Sequence, residues 1–118
     1  MAKILVIDDD SAVIDFVQQI FGEEHTVVGL EGWAQASKYI FRHGVNIVLI
    51  DINMPGLQGD ELAAILKEHT KNLDLKILLF SAADKVELRR RAKEVGATGY
   101  VQKTFEPELL RRRIERYL

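Results

Sequence analysis

Cysteine is absent from this sequence of 118 residues, and there are only two prolines and one tryptophan. Without cysteine the chain cannot form a disulfide framework, a catalytic thiol or a zinc site with thiolate ligands. No apolar run approaches the roughly 20 residues that a membrane-spanning helix requires. Met1-Ala2-Lys3 leads directly into Ile4–Ile7, a run too short for the apolar part of a secretory leader. These absences predict a cytoplasmic protein.

Apolar residues are nevertheless abundant, at 47% of the chain, and charged residues make up 29%. This proportion can fill a core and keep the surface hydrated, which excludes an intrinsically disordered chain. A length of 118 residues is sufficient for one compact domain and too short for two. We therefore expect residues 1–118 to form a single domain.

The net charge of −2 conceals an uneven distribution of charge. Residues 1–83 carry 6 basic and 12 acidic side chains, whereas residues 84–118 carry 10 basic and 6 acidic ones. An acidic region followed by a basic region predicts two different functions along the chain. The isoelectric point of about 5.9 does not favour binding of nucleic acid by the basic region.

Short apolar runs alternate with amphipathic stretches along the whole chain. The runs that predict strands are Ile4–Ile7, Thr26–Val28, Ile47–Ile50, Ile77–Phe80 and Tyr100–Val101. Between them, apolar residues recur at the i, i+3, i+4 spacing of helices that pack against a core. Five strands alternating with five helices predict an α/β protein with a parallel sheet. Because the first, third and fourth runs are the most apolar, we expect a doubly wound five-stranded sheet in the order 2-1-3-4-5.

Glycine follows three of the predicted helices, at Gly22, Gly44 and Gly96. Helices often end in a residue with left-handed backbone conformation, which glycine adopts without strain. We expect all three glycines to adopt it. Pro107 suits the first turn of the last helix, where its missing N–H costs no hydrogen bond.

Polar side chains follow four of the five predicted strands. They are Asp8, Asp9 and Asp10 after the first strand, Asp51 after the third, Ser81 after the fourth and Lys103 after the fifth. In doubly wound sheets, ligands bind beyond the carboxyl ends of the strands, where the strand order reverses. We therefore expect these side chains to line one crevice.

Several carboxylates in one crevice repel one another unless a cation lies among them. Mg²⁺ prefers oxygen ligands and leaves coordination positions for water and phosphate oxygens. With Lys103 and Ser81 nearby, such a site is suited to transfer of a phosphoryl group onto a carboxylate. Asp10 or Ser11 could alternatively cap the first helix, since both residue types are good N-caps.

Four segments resemble the response regulator receiver domains of the chemotaxis type. Asp51–Gly59 is similar to the phosphoacceptor loop of that family, and Ile4–Asp10 to its first strand and acidic pair. Ser81-Ala82 occupies the position of its Ser/Thr switch residue, and Gly96–Lys103 resembles its fifth strand. The resemblance covers essentially the whole chain. It implies a flavodoxin-like fold, a single receiver domain at residues 1–118 and a cytoplasmic switch in two-component signalling.

The resemblance also implies a role for each residue of the crevice. Asp51 would accept a phosphoryl group from a phosphohistidine of a sensor histidine kinase or a phosphotransfer protein. Asp8 and Asp9 would bind Mg²⁺ together with Asp51 and the backbone carbonyl of Asn53. Lys103 would pair with the carboxylate of Asp51 and later with the phosphoryl oxygens.

Further residues are implied to transmit the signal and to set its lifetime. Ser81 would bond the phosphoryl group, and Tyr100 would turn inward behind it. The small side chain of Ala82 would leave the phosphoryl group open to attack. Asn53 and Ala83 occupy positions at which the family tunes the rate of hydrolysis. The chain would catalyse its own phosphorylation and dephosphorylation without being an enzyme in the usual sense.

The basic residues of the C-terminal region lie mainly on the fourth and fifth predicted helices. They are Arg89, Arg90, Arg91 and Lys93 on the fourth helix and Arg111, Arg112, Arg113 and Arg116 on the fifth. Solvated helix faces account for them most simply. In the receiver family, however, the face of the fourth helix, fifth strand and fifth helix binds partners. The resemblance therefore implies a downstream protein or a homodimer at this face, without direct binding of nucleic acid or membrane.

One position departs from the family pattern. Receiver domains usually have a proline after the lysine, joined by a cis peptide bond, whereas here Thr104 follows Lys103. A cis bond before a residue other than proline costs about 2.5–4 kcal/mol. We therefore expect a trans bond and a redrawn loop, which leaves open how far Lys103 reaches and where the last helix begins.

Three alternatives compete with this interpretation. The main alternative is a degenerate receiver that acts as a phosphorylation-independent interaction module, because Thr104 departs from the pattern. A Mg²⁺-dependent phosphatase of the haloacid dehalogenase type requires Asp-x-Asp-x-Thr or Val after the first strand, which Asp8–Ala12 does not match. A flavodoxin-like cofactor binder conflicts with an acidic crevice, which would repel the phosphate of FMN.

Overall fold

The structure is a computed structural model that describes residues 1–32, 35–54, 59–69 and 74–118. Within this part of the chain, strands and helices alternate as predicted. The strands are β1 (Lys3–Ile7), β2 (Thr26–Leu30), β3 (Ile47–Asp51), β4 (Lys76–Ser81) and β5 (Gly99–Gln102). The helices are α1 (Ser11–Phe21), α2 (Ala36–His43), α3 (Gly59–His69), α4 (Lys85–Val95) and α5 (Pro107–Glu115). Each strand extends one or two residues beyond the apolar run that predicted it.

The five strands form one parallel sheet in the order β2-β1-β3-β4-β5, which confirms the predicted topology. In the register of β1, Ile7 lies opposite Leu30 of β2 and Ile50 of β3. The carboxyl ends of β1 and β3 therefore lie side by side, at the point where the strand order reverses. That point is where the fold class places its ligands.

The sheet is covered by helices on both faces. Leu5 and Leu79 belong to an apolar layer that packs against α2, α3 and α4. Val6 and Phe80, which alternate with them along the strands, pack against α1 and α5. Successive side chains of a strand point to opposite faces, so a strand buried on both faces must be apolar at every position. This explains the nearly continuous apolar runs of β1, β3 and β4.

The helix ends agree with the sequence at all positions but one. Gly44 and Gly96 have φ angles of 61° and 73°, which confirms the left-handed conformation. The prediction for Gly22 is wrong, since its φ is −62°. Its N–H still donates to the carbonyl of Gln18 at 2.7 Å, so the helical bonding pattern continues through this residue. Pro107 lies in the first turn of α5, as predicted.

The longest helices are α1, α3 and α4, with 11 residues each. In the part of the chain that the structure describes, no helix has the length and apolar character needed to cross a membrane. The cytoplasmic location stays a prediction.

Candidate functional site

The three acidic residues after β1 have different environments. Asp8 is completely buried, whereas Asp9 and Asp10 are exposed. Oδ1 of Asp8 accepts a hydrogen bond from the backbone N–H of Asp10 at 2.9 Å. Asp10 in turn accepts a hydrogen bond from the N–H of Ala12 at 3.0 Å and thereby caps α1. The alternative interpretation of Asp10 as a helix cap is therefore confirmed.

Asp51 is the last residue of β3, and its exposed fraction is 5%. Its Oδ1 accepts a hydrogen bond from the backbone N–H of Asn53 at 3.0 Å, which fixes the orientation of the side chain. Carboxylate oxygens of Asp8, Asp9 and Asp51 lie within 4.8 Å of one another. The structure thus brings the three predicted carboxylates together. Of the predicted phosphoacceptor loop, residues 55–58 lie outside the described residues.

Lys103 reaches the same carboxylates from the end of β5. Its Nζ lies 2.7 Å from Oδ2 of Asp8 and 3.7 Å from Oδ1 of Asp51. The ammonium also lies 5.3 Å from the centre of the Phe80 ring. The peptide bond between Lys103 and Thr104 is trans, as expected. A threonine in place of the usual proline therefore does not keep the lysine from the carboxylates.

The electrostatic balance at these side chains is negative. Burial raises the pKa of Asp51 above its ordinary value of 3.8, and the charges of Asp8 and Asp9 raise it further. The N–H of Asn53 and the ammonium of Lys103 lower the pKa of Asp51, but the net direction is upward. Because three carboxylates face one ammonium among the described residues, the arrangement attracts a further cation.

Asp8 supplies a direct test of whether a metal ion suits the site. Its Oδ2 is buried and accepts no hydrogen bond from the described residues, although Lys103 Nζ lies close to it. A buried carboxylate oxygen without a hydrogen bond is costly, and coordination of a cation removes that cost. Oxygen ligands from carboxylates are those that Mg²⁺ prefers. The residues present therefore fit a hard divalent cation.

Ser81 ends β4 and is buried, with an exposed fraction of 1%. Its Oγ accepts a hydrogen bond from the backbone N–H of Ala83 at 3.1 Å. Its carbonyl accepts a hydrogen bond from the backbone N–H of Lys103 at 2.7 Å. The predicted switch serine is therefore fixed by backbone bonding to the residue that carries the ammonium.

Tyr100 is half-buried in the edge strand β5. Its side chain packs against the apolar layer under α4, and its hydroxyl lies 3.5 Å from Nη2 of Arg89. The structure therefore places the predicted switch tyrosine beside α4, where a change in its orientation would alter the surface between α4 and β5.

Gln102, for which the sequence predicted no role, connects these parts. Nε2 of Gln102 donates a hydrogen bond to the carbonyl of Ala83 at 3.2 Å. The carbonyl of Gln102 accepts a hydrogen bond from Nη1 of Arg113 at 2.9 Å. The loop after Ser81, the end of β5 and α5 are thereby joined. A polar residue on an edge strand is ordinary, so the sequence carried no signal for Gln102.

Residues 4–115 match the response regulator receiver domain family. This chain belongs to that family. The sequence resemblance is confirmed, and with it the place of this receiver domain in two-component signal transduction. Its fold is similar to that of the chemotaxis protein CheY4 of Vibrio cholerae, with a TM-score of 0.88 and 26% identity. That superposition covers 100% of this chain and 99% of CheY4.

Curated relatives of the receiver domain include proteins of two lengths. The heme response regulator HssR of Staphylococcus saprophyticus is 31% identical over 119 residues, which cover 100% of this chain and 52% of HssR. The sporulation initiation phosphotransferase F of Bacillus subtilis is 25% identical over 118 residues, which cover 98% of this chain and 93% of that protein. The chain therefore spans about half the length of HssR and nearly all of the sporulation protein.

Proposed function

We propose that this receiver domain is a signalling switch that accepts a phosphoryl group on Asp51. The proposal depends on the acidic crevice, the name used below for Asp8, Asp9, Asp51 and Lys103. Three carboxylates within 4.8 Å of one another beside the ammonium of Lys103 support phosphoryl transfer as the chemistry of this crevice. Membership of the receiver family supports this chemistry.

Asp51 is the carboxylate best placed to be the acceptor. Both oxygens of Asp8 are engaged, one by the N–H of Asp10 and the other by the ammonium of Lys103. Asp51 uses Oδ1 for the N–H of Asn53, and its Oδ2 accepts no hydrogen bond from the described residues. Oδ2 of Asp51 is therefore available to act as a nucleophile.

The donor we propose is a phosphohistidine of a sensor histidine kinase or of a phosphotransfer protein. Oδ2 of Asp51 forms a bond to phosphorus while the bond between phosphorus and the imidazole nitrogen breaks, and the electron pair of that bond stays on the nitrogen. Lys103 Nζ, 3.7 Å from Oδ1 of Asp51, counters the negative charge that the acceptor and the phosphoryl group bring together. The same groups would promote attack of water on the acyl phosphate, so the domain would also catalyse its own dephosphorylation.

Mg²⁺ is the metal that we propose for the crevice, held by Asp8, Asp9, Asp51 and the backbone carbonyl of Asn53. The buried Oδ2 of Asp8, which accepts no hydrogen bond from the described residues, and the surplus of negative charge support this assignment. When bound, the ion would neutralise charge on the phosphoryl oxygens.

Ser81 and Tyr100 are the residues that we propose to transmit the modification. The Ser81 hydroxyl accepts the N–H of Ala83, which leaves its own proton available to a phosphoryl oxygen. A shift of this loop would reach β5 and α5 through Gln102, whose side chain donates to the carbonyl of Ala83. Tyr100 would then turn inward, and the face of α4, β5 and α5 would bind a downstream protein or a second copy differently.

Residues 1–118 are proposed to form one receiver domain that acts in the cytoplasm. Its only catalysis would be the transfer and hydrolysis of its own phosphoryl group. No separate substrate is proposed.

The test is the intact mass of the chain after incubation with acetyl phosphate and Mg²⁺. We expect one added phosphoryl group on the native chain, and none on the Asp51→Asn variant or without the metal. Asp74→Asn is the matched control, since Asp74 is exposed and lies before β4, and it should be modified like the native chain. An unmodified native chain would favour the degenerate receiver, with Thr104 as the first residue to examine.

A further inference from the structure

A groove of about 280 Å³ lies on the face formed by α4, β5 and α5. Its charged lining consists of Lys85 and Arg89 of α4, Arg113 of α5, and Arg116, which directly follows α5. Tyr100 and Gln102 of β5 also line it. We call this surface the basic groove. No carboxylate belongs to its lining among the described residues.

The positive charge of the basic groove is not neutralised by neighbouring acids. None of its four cations forms an ion pair with a described residue. On the same helices, Arg90 pairs with Glu87 and Glu94, both at 2.6 Å. Arg111 pairs with Glu24 at 3.1 Å and with Glu115 at 3.4 Å. Those carboxylates are thus engaged outside the groove, which leaves its four cations for a ligand from outside the domain.

Two carbonyls of the strand at the floor of the groove already accept hydrogen bonds from side chains. The carbonyl of Gln102 accepts a hydrogen bond from Arg113, and the carbonyl of Tyr100 accepts one from the Tyr117 hydroxyl at 3.4 Å. Tyr117 packs directly on Gly99, where an added Cβ would lie 2.4 Å from the Tyr117 hydroxyl oxygen. Because these two carbonyls are engaged and Tyr117 covers Gly99, we expect an occupant to bind through the charged side chains rather than by extending the sheet.

The cations of α4 form a stripe whose length indicates how long a segment they can contact. Lys85 and Arg89 are one helical turn apart, and Lys93 continues the series into a second concavity beside Tyr100. At 1.5 Å per residue the stripe is about 12 Å long. This length suits a short segment with several carboxylates, and it spans only a few phosphates of a nucleic acid.

A second copy of the domain does not complement the basic groove. A two-fold symmetric interface places the same patch of both subunits against itself. Four cations would then face four cations with no carboxylate in either lining, which is repulsive. Nucleic acid is also a poor match, because a stripe of about 12 Å contacts only a few of the closely spaced phosphates that a nucleic acid carries along its whole length.

We propose that the basic groove binds an acidic segment of another protein, rich in aspartate and glutamate. The inference deepens the proposed function, since it names the chemistry of the partner at the output face. It requires only the charged side chains of the groove, so the unphosphorylated domain should already bind such a segment. Phosphorylation would change this affinity through Ala83 and Gln102.

The test is a fluorescence anisotropy titration of the full chain with a labelled oligoglutamate peptide. Oligoglutamine of the same length and oligothymidylate are compared with it at the same ionic strength. We expect saturable binding of oligoglutamate, and affinities for both other probes that are weaker by roughly tenfold or more. Amide NMR shifts caused by oligoglutamate should centre on Tyr100 and Gln102. Tighter binding of oligothymidylate would overturn the proposal in favour of nucleic acid.

Two double variants with the same change in formal charge separate the groove from overall charge. Arg89→Glu with Arg116→Glu alters two exposed residues of the groove. Lys67→Glu with Arg112→Glu alters two exposed residues outside its lining. We expect the first variant to bind oligoglutamate at least roughly tenfold more weakly, and the second to stay within about twofold of the native chain.

Equal losses in both variants would overturn the proposal, because binding would then depend on net charge alone. A dimer that the native chain forms in sedimentation experiments and the groove variant does not form would also overturn the proposal, since the occupant would then be a second copy. The titration is repeated with Asp51→Asn, which cannot carry the proposed phosphoryl group. Binding of oligoglutamate by this variant, together with failure of the native chain to become phosphorylated, would sustain the groove and reject the proposed function.

Discussion

The acidic crevice and the basic groove use charged side chains in opposite ways. In the crevice, Asp8 and Asp51 are buried at the ends of central strands, and backbone N–H groups fix their orientations. In the groove, Lys85, Arg89 and Arg116 are exposed at the ends of long side chains. The crevice would therefore present a preset geometry to the proposed small ligand, whereas the groove would present adaptable charge to the proposed partner. The buried carboxylates would thus favour a ligand that fits their fixed positions, whereas the exposed cations would favour a ligand by its negative charge.

The two regions are also connected. The backbone N–H of Lys103 donates to the carbonyl of Ser81, and the Gln102 side chain donates to the carbonyl of Ala83. The carbonyl of Gln102 is held by Arg113, which lines the groove. A rearrangement at the end of β4 thus has a short hydrogen-bonded route to the groove.

The largest expected difference between the two regions is in how much replacement of a lysine by methionine lowers the unfolding free energy. Lys103→Met removes the ammonium next to the buried carboxylate of Asp8, and breaking a buried pair in this way costs about 3 kcal/mol of unfolding free energy. Lys85→Met, at an exposed position of the groove, should change it by no more than about 0.5 kcal/mol. Urea denaturation in metal-free buffer measures both. Equal effects would show that burial does not distinguish the two regions.

Binding of Mg²⁺ in the crevice should raise the unfolding free energy by slightly less than the Lys103→Met substitution lowers it. A ligand at one hundred times its Kd stabilises the folded state by about 2.7 kcal/mol. We expect thermal unfolding to show such a gain for the native chain and little of it for Asp9→Asn. Asp10→Asn is the control, because Asn also caps helices and Asp10 serves α1. The same loss in both variants would argue against Asp9 as a ligand.

A smaller effect, with a distinct dependence on pH, is expected for Asp51→Asn without metal. Since burial raises the pKa of Asp51 above 3.8, the folded chain holds this proton more tightly than the unfolded chain does. The resulting stabilisation is present below the ordinary pKa and is lost as the pH rises through the raised pKa. The variant should therefore be more stable than the native chain at neutral pH, and this gain should vanish below pH 3.8.

Denaturation series of Asp51→Asn and of the exposed control Asp74→Asn across this pH range check the sign. A gain that grows on acidification would contradict the raised pKa.

The smallest effect is expected for Tyr100→Phe. The hydroxyl of Tyr100 lies 3.5 Å from Arg89, a distance at which a hydrogen bond is weak. Loss of the hydroxyl should change the unfolding free energy by less than about 0.5 kcal/mol. A larger difference in unfolding free energy between the variant and the native chain would indicate that the contact of Tyr100 with Arg89 stabilises the fold more than its distance of 3.5 Å suggests.

The fold and the crevice could be predicted because both depend on local patterns. Apolar runs buried on two faces fixed the order of the strands, and the residues that follow those strands identified Asp51 and Lys103. The difference in burial between Asp8 and Asp9 was not predicted, since consecutive acids look alike in a sequence. Gly22 was assigned wrongly because a glycine after a helix can also continue its right-handed turn.

The basic groove was harder to foresee, because it depends on which cations find partners across the fold. Arg111 pairs with Glu24, 87 residues away, and this pairing removes Arg111 from the set of available cations. The spacing of Lys85, Arg89 and Lys93 indicates a basic stripe on one flank of α4. The absence of acids from the opposite flank, on α5, becomes evident only when the two helices are placed together.

The most direct test of Asp51 as the acceptor is to locate the phosphoryl group on the chain. After reaction with acetyl phosphate and Mg²⁺, borohydride reduces an acyl phosphate to the alcohol, and peptide mass spectrometry locates the reduced residue. We predict that the reduced residue is Asp51 and that Asp8 and Asp9 are unmodified. Reduction at Asp8 or Asp9 instead, or at no residue of the native chain, would contradict the assignment of Asp51 as the phosphoacceptor.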